Sequence, residues 1–355
     1  MAENSNNKRI VVVDYGIPEL ARNRLFEPTF ASRIHHTLLP VCHLYQEAMR
    51  QNIRMVTPDT YFGMTDRPKR ALLVSHLVTS KTAKLIDVGV RPTILTCQES
   101  PFVATRFYAK LKRYTSWFKH SFLFSGMARR VSGKTIYHQI FFPSVFKSED
   151  FKVVPYGQKK FLTMISGNKR MGNWKKNLII KFLYGLKVRE IYEERHKAVI
   201  FFAGHRGFDL YGKGWDKGGK TGQETEAIKR SYRGMVEDKL PVLRQYKFTL
   251  CFENSVFPGY VTEKIFDAMF AGSVPVYLGA PDITDLVPKD AFVDIRDFKG
   301  LSGLLSFLEN MDETTYNAYI GNIGRFLNSP QFYRFMQESF VGEVLKIVNE
   351  ELCYG

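Results

Sequence analysis

Residues 248–298 read FTLCFENSVFPGYVTEKIFDAMFAGSVPVYLGAPDITDLVPKDAFVDIRDF, and this stretch holds a strand, a polar loop, a capped helix and a second strand. Phe248, Leu250 and Phe252 alternate with Thr249, Cys251 and Glu253, a period of two that predicts a strand. Asn254, Ser255, Pro258 and Gly259 break the run into a loop. Thr262 is a suitable N-cap, Ile265, Phe266, Met269 and Phe270 follow at helical spacing, and Gly272 suits the left-handed position beyond a helix end. Residues 274–278 then form the next strand.

Glu263 and Lys264 fall in the first turn of that helix, at its positive end. Unpaired backbone N–H groups and the macrodipole favour an anion there, and Lys264 adds a full charge that can meet a phosphate. Glu263 cannot bind phosphate, but a carboxylate beside such a site can accept hydrogen bonds from ribose hydroxyls. The pair therefore reads as a nucleotide clamp. A plainer account fits the same spacing: Thr262 and Glu263 cap an amphipathic helix and Lys264 is solvated.

The run FENS, followed by GYVTEKIFDA and VPVYLGAP, resembles the donor-site signature of glycosyltransferase family 10, the alpha-1,3/1,4-fucosyltransferases. The resemblance implies donor-binding roles for Asn254, Tyr260, Glu263 and Lys264, with Glu263 on the ribose. Residues 91–101, RPTILTCQESP, form an apolar strand ending in Gln98, Glu99, Ser100 and Pro101. In the family an E-S-P tripeptide after the corresponding strand carries the proposed base, which makes Glu99 the catalytic candidate. Without that company, a Glu at a strand end is most often solvated. The segment RHKAVIFFAGHRGFDLYGKGW, starting at Arg195, resembles the family's arginine helix and the D-x-Y-G turn after it, so Arg195 is expected on the donor diphosphate. Its spacing to Tyr211 and Gly212 is longer than the family pattern, Lys169 and Arg170 compete for the role, and a solvated surface-helix arginine is the alternative. Ile191, Tyr192, Ala198 and Val199 occupy the positions of its would-be helical ion-pair partners.

Strands at 9–14, 53–56, 71–76, 93–97, 122–124 and 136–142, with helices at 30–51, 80–87 and 103–113, predict a parallel, doubly wound α/β sheet. A second such sheet starts after Pro155, Tyr156 and Gly157, with strands at 161–166, 209–212, 248–252 and 274–278. The expected architecture is two Rossmann-like domains facing a cleft, called GT-B: an acceptor-binding domain over 1–157 and a GDP-sugar-binding domain over 158–330. A C-terminal helix over 331–355 is expected to return to the first domain. Such an arrangement places Glu99 and the Glu263/Lys264 pair at carboxyl ends of strands, where open sheets bind ligands.

The chain has 355 residues, enough for two domains of roughly 150 to 180 residues. Lys and Arg number 51 against 35 Asp and Glu, a net charge of +16 that attracts phosphorylated ligands, nucleic acid or anionic lipid. No zinc-finger spacing, RNP-type motif or basic heptad region is present, so a nucleic-acid partner is not expected. The surplus clusters over 159–206, and part of it could lie against a membrane. The four cysteines show no metal-ligand spacing, and the eight histidines, among them His35, His36 and His43, take no role. The polar start over 1–8 does not resemble a signal peptide, and no apolar run reaches the roughly 20 residues that span a bilayer. The chain departs from the anchored secretory animal members of the family and resembles a bacterial member, so the expected location is cytoplasmic, at the inner membrane face; a truncated piece of a longer, anchored protein is the alternative.

The resemblance implies transfer of L-fucose from GDP-fucose, with inversion, to a hydroxyl of N-acetylglucosamine or glucose in a lactosamine-like glycan or lipopolysaccharide, alpha-1,3 being the expected linkage. No D-x-D triplet occurs, so Arg195, Lys264 and the helix end, with no metal and no cofactor, are expected to stabilise the leaving GDP. Another nucleotide sugar on the same fold is one alternative. A non-catalytic basic protein that binds RNA or a membrane is another.

Overall fold

The structure is a computed structural model that describes residues 9–34, 36–68, 70–170, 174–205 and 207–353. The polar start over 1–8, His35 and Arg206 at the end of the basic run lie outside the described residues. The described chain divides into two compact units, one from Met1–Glu99, Val103–Val145 and Arg334–Gly355, the other from Ser100–Phe102 and Phe146–Tyr333.

The first unit is built on six parallel strands: β1 (Ile10–Asp14), β2 (Arg54–Val56), β3 (Leu72–His76), β4 (Arg91–Thr96), β5 (His120–Leu123) and β6 (Ile136–Gln139), in the order β2-β1-β3-β4-β5-β6. The run IVVVD of β1 is buried throughout, as a strand covered on both faces must be. In the second unit β7 (Lys160–Ile165), β9 (Phe208–Tyr211), β10 (Tyr246–Phe252), β12 (Val274–Leu278) and β13 (Val293–Asp294) form a parallel sheet in the order β13-β12-β10-β7-β9. A short antiparallel pair, β8 (Arg189–Glu190) with β11 (Ser255–Val256), lies apart from that sheet.

Both sheets reverse direction once. The chain moves from β1 to its neighbour β2 and then crosses to β3 on the other side; likewise from β7 to β9 and then to β10. The carboxyl ends of β1/β3 and of β7/β10 are therefore the switch points at which open α/β sheets bind ligands.

Three expected elements differ. The helix expected over 30–51 is Pro28–Ile34, a 3-10 turn His36–Leu38 and Leu39–Arg50. Pro40 explains the break: near a helix start its missing N–H costs nothing, whereas inside a continuous helix its ring would strike the carbonyl one turn back. Residues 103–113 form two short helices, Thr105–Ala109 and Leu111–Thr115, and the last helix begins only at Gln337. That last helix belongs to the first unit, where Lys119 Nζ meets Glu351 Oε1 at 2.5 Å and Arg9 donates to Asn349 Oδ1 at 2.5 Å. Residues 146–157 pack within the second unit, Phe146 against the Phe270 ring and the Tyr156 hydroxyl on the Met311 carbonyl. All four cysteines are free, and no described helix is long and apolar enough to cross a membrane.

Candidate functional site

The β7/β10 switch point collects the residues singled out in the second half of the sequence. Strand β10 is covered on both faces, so the chain carries Glu253, which directly follows Phe252, into the interior at 0% exposure. An unpaired carboxylate there would be costly. Three donors answer it: the Thr262 backbone N–H to Oε1 at 2.7 Å, the Thr262 hydroxyl to Oε2 at 2.8 Å and Lys264 Nζ to Oε2 at 3.2 Å. Burial still pushes the Glu253 carboxyl above the usual range, with Lys264 opposing.

The expected side-chain cap at Thr262 is absent: its hydroxyl is turned to Glu253, to which it donates, and accepts from Lys264 Nζ at 2.8 Å, while no helix amide donates to it. The helix Glu263–Phe270 does start where expected. Gly272 closes it at φ +64°, and a Cβ there would stand 2.6 Å from the Lys152 carbonyl. Gly279 is required by Glu253 itself, since a Cβ would meet Glu253 Cγ at 2.5 Å and the Tyr277 hydroxyl at 2.4 Å. The YLG run and the FEN run are thus two sides of one contact.

Lys264 is not a solvated surface lysine. Burial works against its charge, but Glu253 and Glu263, the latter at 3.4 Å, outweigh that and hold its pKa above the ordinary value. Glu263 also faces Lys239 at 3.9 Å, and Lys239 is bonded to Asp267 at 2.7 Å.

Arg195 comes from the helix Tyr192–Phe202 and is only 2% exposed, which excludes the surface-arginine alternative. On its own helix it meets the Tyr192 ring, 5.2 Å from the guanidinium carbon, and not a carboxylate; it reaches the end of β10, where Nη2 donates to the carbonyls of Phe252 at 2.8 Å and Glu253 at 2.6 Å and to Asn254 Oδ1 at 2.9 Å. Asn254 in turn donates from Nδ2 to the Tyr260 hydroxyl at 3.2 Å. The Arg170 guanidinium is held elsewhere, by Glu224, which also takes His196 Nδ1 at 2.5 Å. A cavity beside this cluster is lined by Ser166, Arg195, Lys239, Lys264 and Asp267. Arg195 Nε and Ser166 Oγ are buried without a hydrogen-bond partner. A buried unpaired donor costs about 1–3 kcal/mol, which an entering anionic oxygen would recover.

The structure thus brings together Arg195, Asn254, Tyr260, Glu263 and Lys264. Glu253, Lys239 and Asp267 join them and were not singled out from sequence. For Glu253 a signal existed: an acid directly after the run over 248–252, whose residues on both faces are apolar or small.

Glu99 belongs to the first unit, just past β4, where its backbone carbonyl accepts the Tyr108 hydroxyl at 2.9 Å. At the adjacent β1/β3 switch point Tyr15 and His76 stack with centroids 4.7 Å apart and planes at 12°. Burial raises the Tyr15 phenol, with Cys42 and Glu99 adding to the effect, and burial lowers His76 to about 4. A histidine depressed in the folded chain and ordinary in the unfolded one takes up its proton first on unfolding. Stability is therefore complete above about pH 6.5 and falls as pH drops towards 4, by ~3 kcal/mol from this group. His76→Gln should flatten that part of the pH–stability curve in denaturant titrations; an unchanged slope would remove His76 from the account.

Residues 189–323 match the family model described as glycosyltransferase family 10 (fucosyltransferase), C-terminal. The chain is 44% identical over 86 residues to the alpha-(1,3)-fucosyltransferase FucT of Helicobacter pylori, covering 24% of this chain and 18% of that protein. It is 45% identical over 83 residues to human alpha-(1,3)-fucosyltransferase 7, covering 22% of this chain and 24% of the relative. These alignments span less than a quarter of either relative's length. Among solved structures, an alpha1,3-fucosyltransferase superposes with a TM-score of 0.55 at 15% identity, over 98% of this chain and 92% of the other. Anabaena HepE, solved with UDP-glucose, superposes with a TM-score of 0.57 at 13% identity, over 96% and 99%. The fold is that of the GT-B glycosyltransferases.

Proposed function

We propose, from the match of residues 189–323 to the family model of glycosyltransferase family 10, the fucosyltransferases, that this protein is an inverting alpha-1,3-fucosyltransferase using GDP-fucose. The observation that carries the reading is the Arg195–Asn254–Tyr260 and Glu253–Lys264 cluster at the β7/β10 switch point, inside the matched segment. Arg195 presents a buried guanidinium with an unused N–H, and Lys264 stands at the amino end of a helix beside it. Both suit a diphosphate, and Glu263 suits the ribose hydroxyls.

In the proposed step the acceptor oxygen forms a bond to the fucose anomeric carbon as the bond from that carbon to the GDP oxygen breaks. The acceptor proton passes to the Glu99 carboxylate, and the electron pair leaves with GDP. Arg195, Lys264 and the helix end stabilise the charge gathering on the diphosphate, so no divalent ion is needed. The acceptor is proposed to be N-acetylglucosamine or glucose of a lactosamine-like glycan or of lipopolysaccharide.

The fold is shared with a protein solved with UDP-glucose, so the sugar must be tested directly. Transfer is to be measured with GDP-fucose, GDP-mannose and UDP-sugars, in EDTA, on N-acetyllactosamine and lactose. Turnover of GDP-fucose alone, undiminished by chelation, is expected. Preference for another donor would overturn the fucose assignment, and abolition by EDTA would overturn the metal-free mechanism.

A further inference from the structure

The geometry points to the exposed face of the helix Trp174–Tyr184 as a docking surface for an anionic membrane. Trp174, Leu178 and Phe182 recur every four residues and so share one side of the helix. They are 63%, 56% and 90% exposed, Ile179 beside them is 43% exposed, and Leu186 just past the helix is 83% exposed. On the other side Ile180 is fully buried and the Tyr184 ring packs edge-on against Phe257 at 5.5 Å. The helix is apolar on both sides and covered on one. A contiguous apolar face of this kind marks an interaction site.

Charge chooses the occupant. From Trp174 to Lys187 the chain carries Lys175, Lys176, Lys181 and Lys187 and no acidic residue, and Arg189 just beyond is paired with Glu194. A second copy of the same face would set these cations against one another, and an RNA would leave Leu178, Ile179 and Phe182 without a partner. A bilayer with anionic headgroups satisfies both features: the apolar side chains enter the acyl boundary, the lysines reach back to the headgroups, and Trp174, with the Lys175 ammonium 5.9 Å from its ring, sits at the interface. The face lies outside the Arg195–Lys264 cluster, so this inference stands apart from the donor assignment.

The test is flotation of the full chain with vesicles of phosphatidylcholine alone and of phosphatidylcholine with phosphatidylglycerol. Wild type, Phe182→Asp and Lys175→Glu/Lys176→Glu are compared, with GDP binding followed in parallel. Wild type is expected on the mixed vesicles, less so as salt rises, and about tenfold or more weaker on the neutral ones. Each variant should lose about tenfold or more of its partition with GDP affinity retained. Wild type that ignores mixed vesicles, or variants that partition like wild type, would overturn the proposal. So would self-association or RNA binding, without vesicle binding, that Phe182→Asp abolishes. Vesicle binding as expected with no GDP binding by any form would instead overturn only the donor assignment.

Discussion

Glu99→Gln is expected to slow fucose transfer about 10²–10⁴-fold while GDP binding stays at the wild-type level. The amide keeps the shape of the side chain but cannot take the acceptor proton, so the loss falls on the chemical step, about 3–5 kcal/mol of barrier. Glu99 belongs to the first unit and the proposed GDP-binding residues to the second, which is why the two properties should separate. Single-turnover transfer with saturating GDP-fucose, set beside calorimetric GDP titration, reads both. A variant that retains full transfer would remove Glu99 as the base. A variant that loses GDP affinity in parallel would make its role structural.

The second large effect concerns Lys264, and one substitution cannot measure it. Lys264→Ala removes the proposed charge-assisted contact to the diphosphate, worth about 1.5–3 kcal/mol, or roughly ten- to a hundredfold in GDP affinity. It also strands Glu253, at 0% exposure, without its cation. Breaking a buried pair from one side costs about 3–5 kcal/mol of stability. The single variant is therefore expected to bind GDP poorly and to melt early. Glu253→Gln/Lys264→Met removes both charges together and should recover most of the melting temperature while GDP affinity stays low. Thermal unfolding and GDP titration on the wild type, the single and the double variant make the comparison. A double variant that binds GDP as wild type does would take Lys264 out of the donor clamp. One that melts as early as the single variant would show that the pair's contribution to stability is not electrostatic.

Much of this organisation was legible because local patterns carry it. The alternation of β10, the helix over Glu263–Phe270 and the glycine at 272 each depend on side-chain period or on a backbone angle that neighbouring residues fix. The helix over 30–51 was misread because apolar periodicity continues through Pro40, although its ring forces a new start. Thr262 is the N-cap residue as expected, but the bond its hydroxyl makes was misread for a different reason. Its hydroxyl had two possible partners, the helix amides nearby and a carboxylate nine positions back, and sequence shows only the first.

By itself the sequence determined two doubly wound sheets, the places where strands deliver polar residues, and a run holding Asn254, Tyr260, Glu263 and Lys264 inside the segment that matches the family model. The tertiary structure decided how those residues are charged and held. It buries Glu253 against Lys264, carries Arg195 from a distant helix onto the carbonyls of β10, and leaves Trp174, Leu178 and Phe182 uncovered. Burial and long-range pairing set the cost of every charge, and neither is a property of neighbours along the chain.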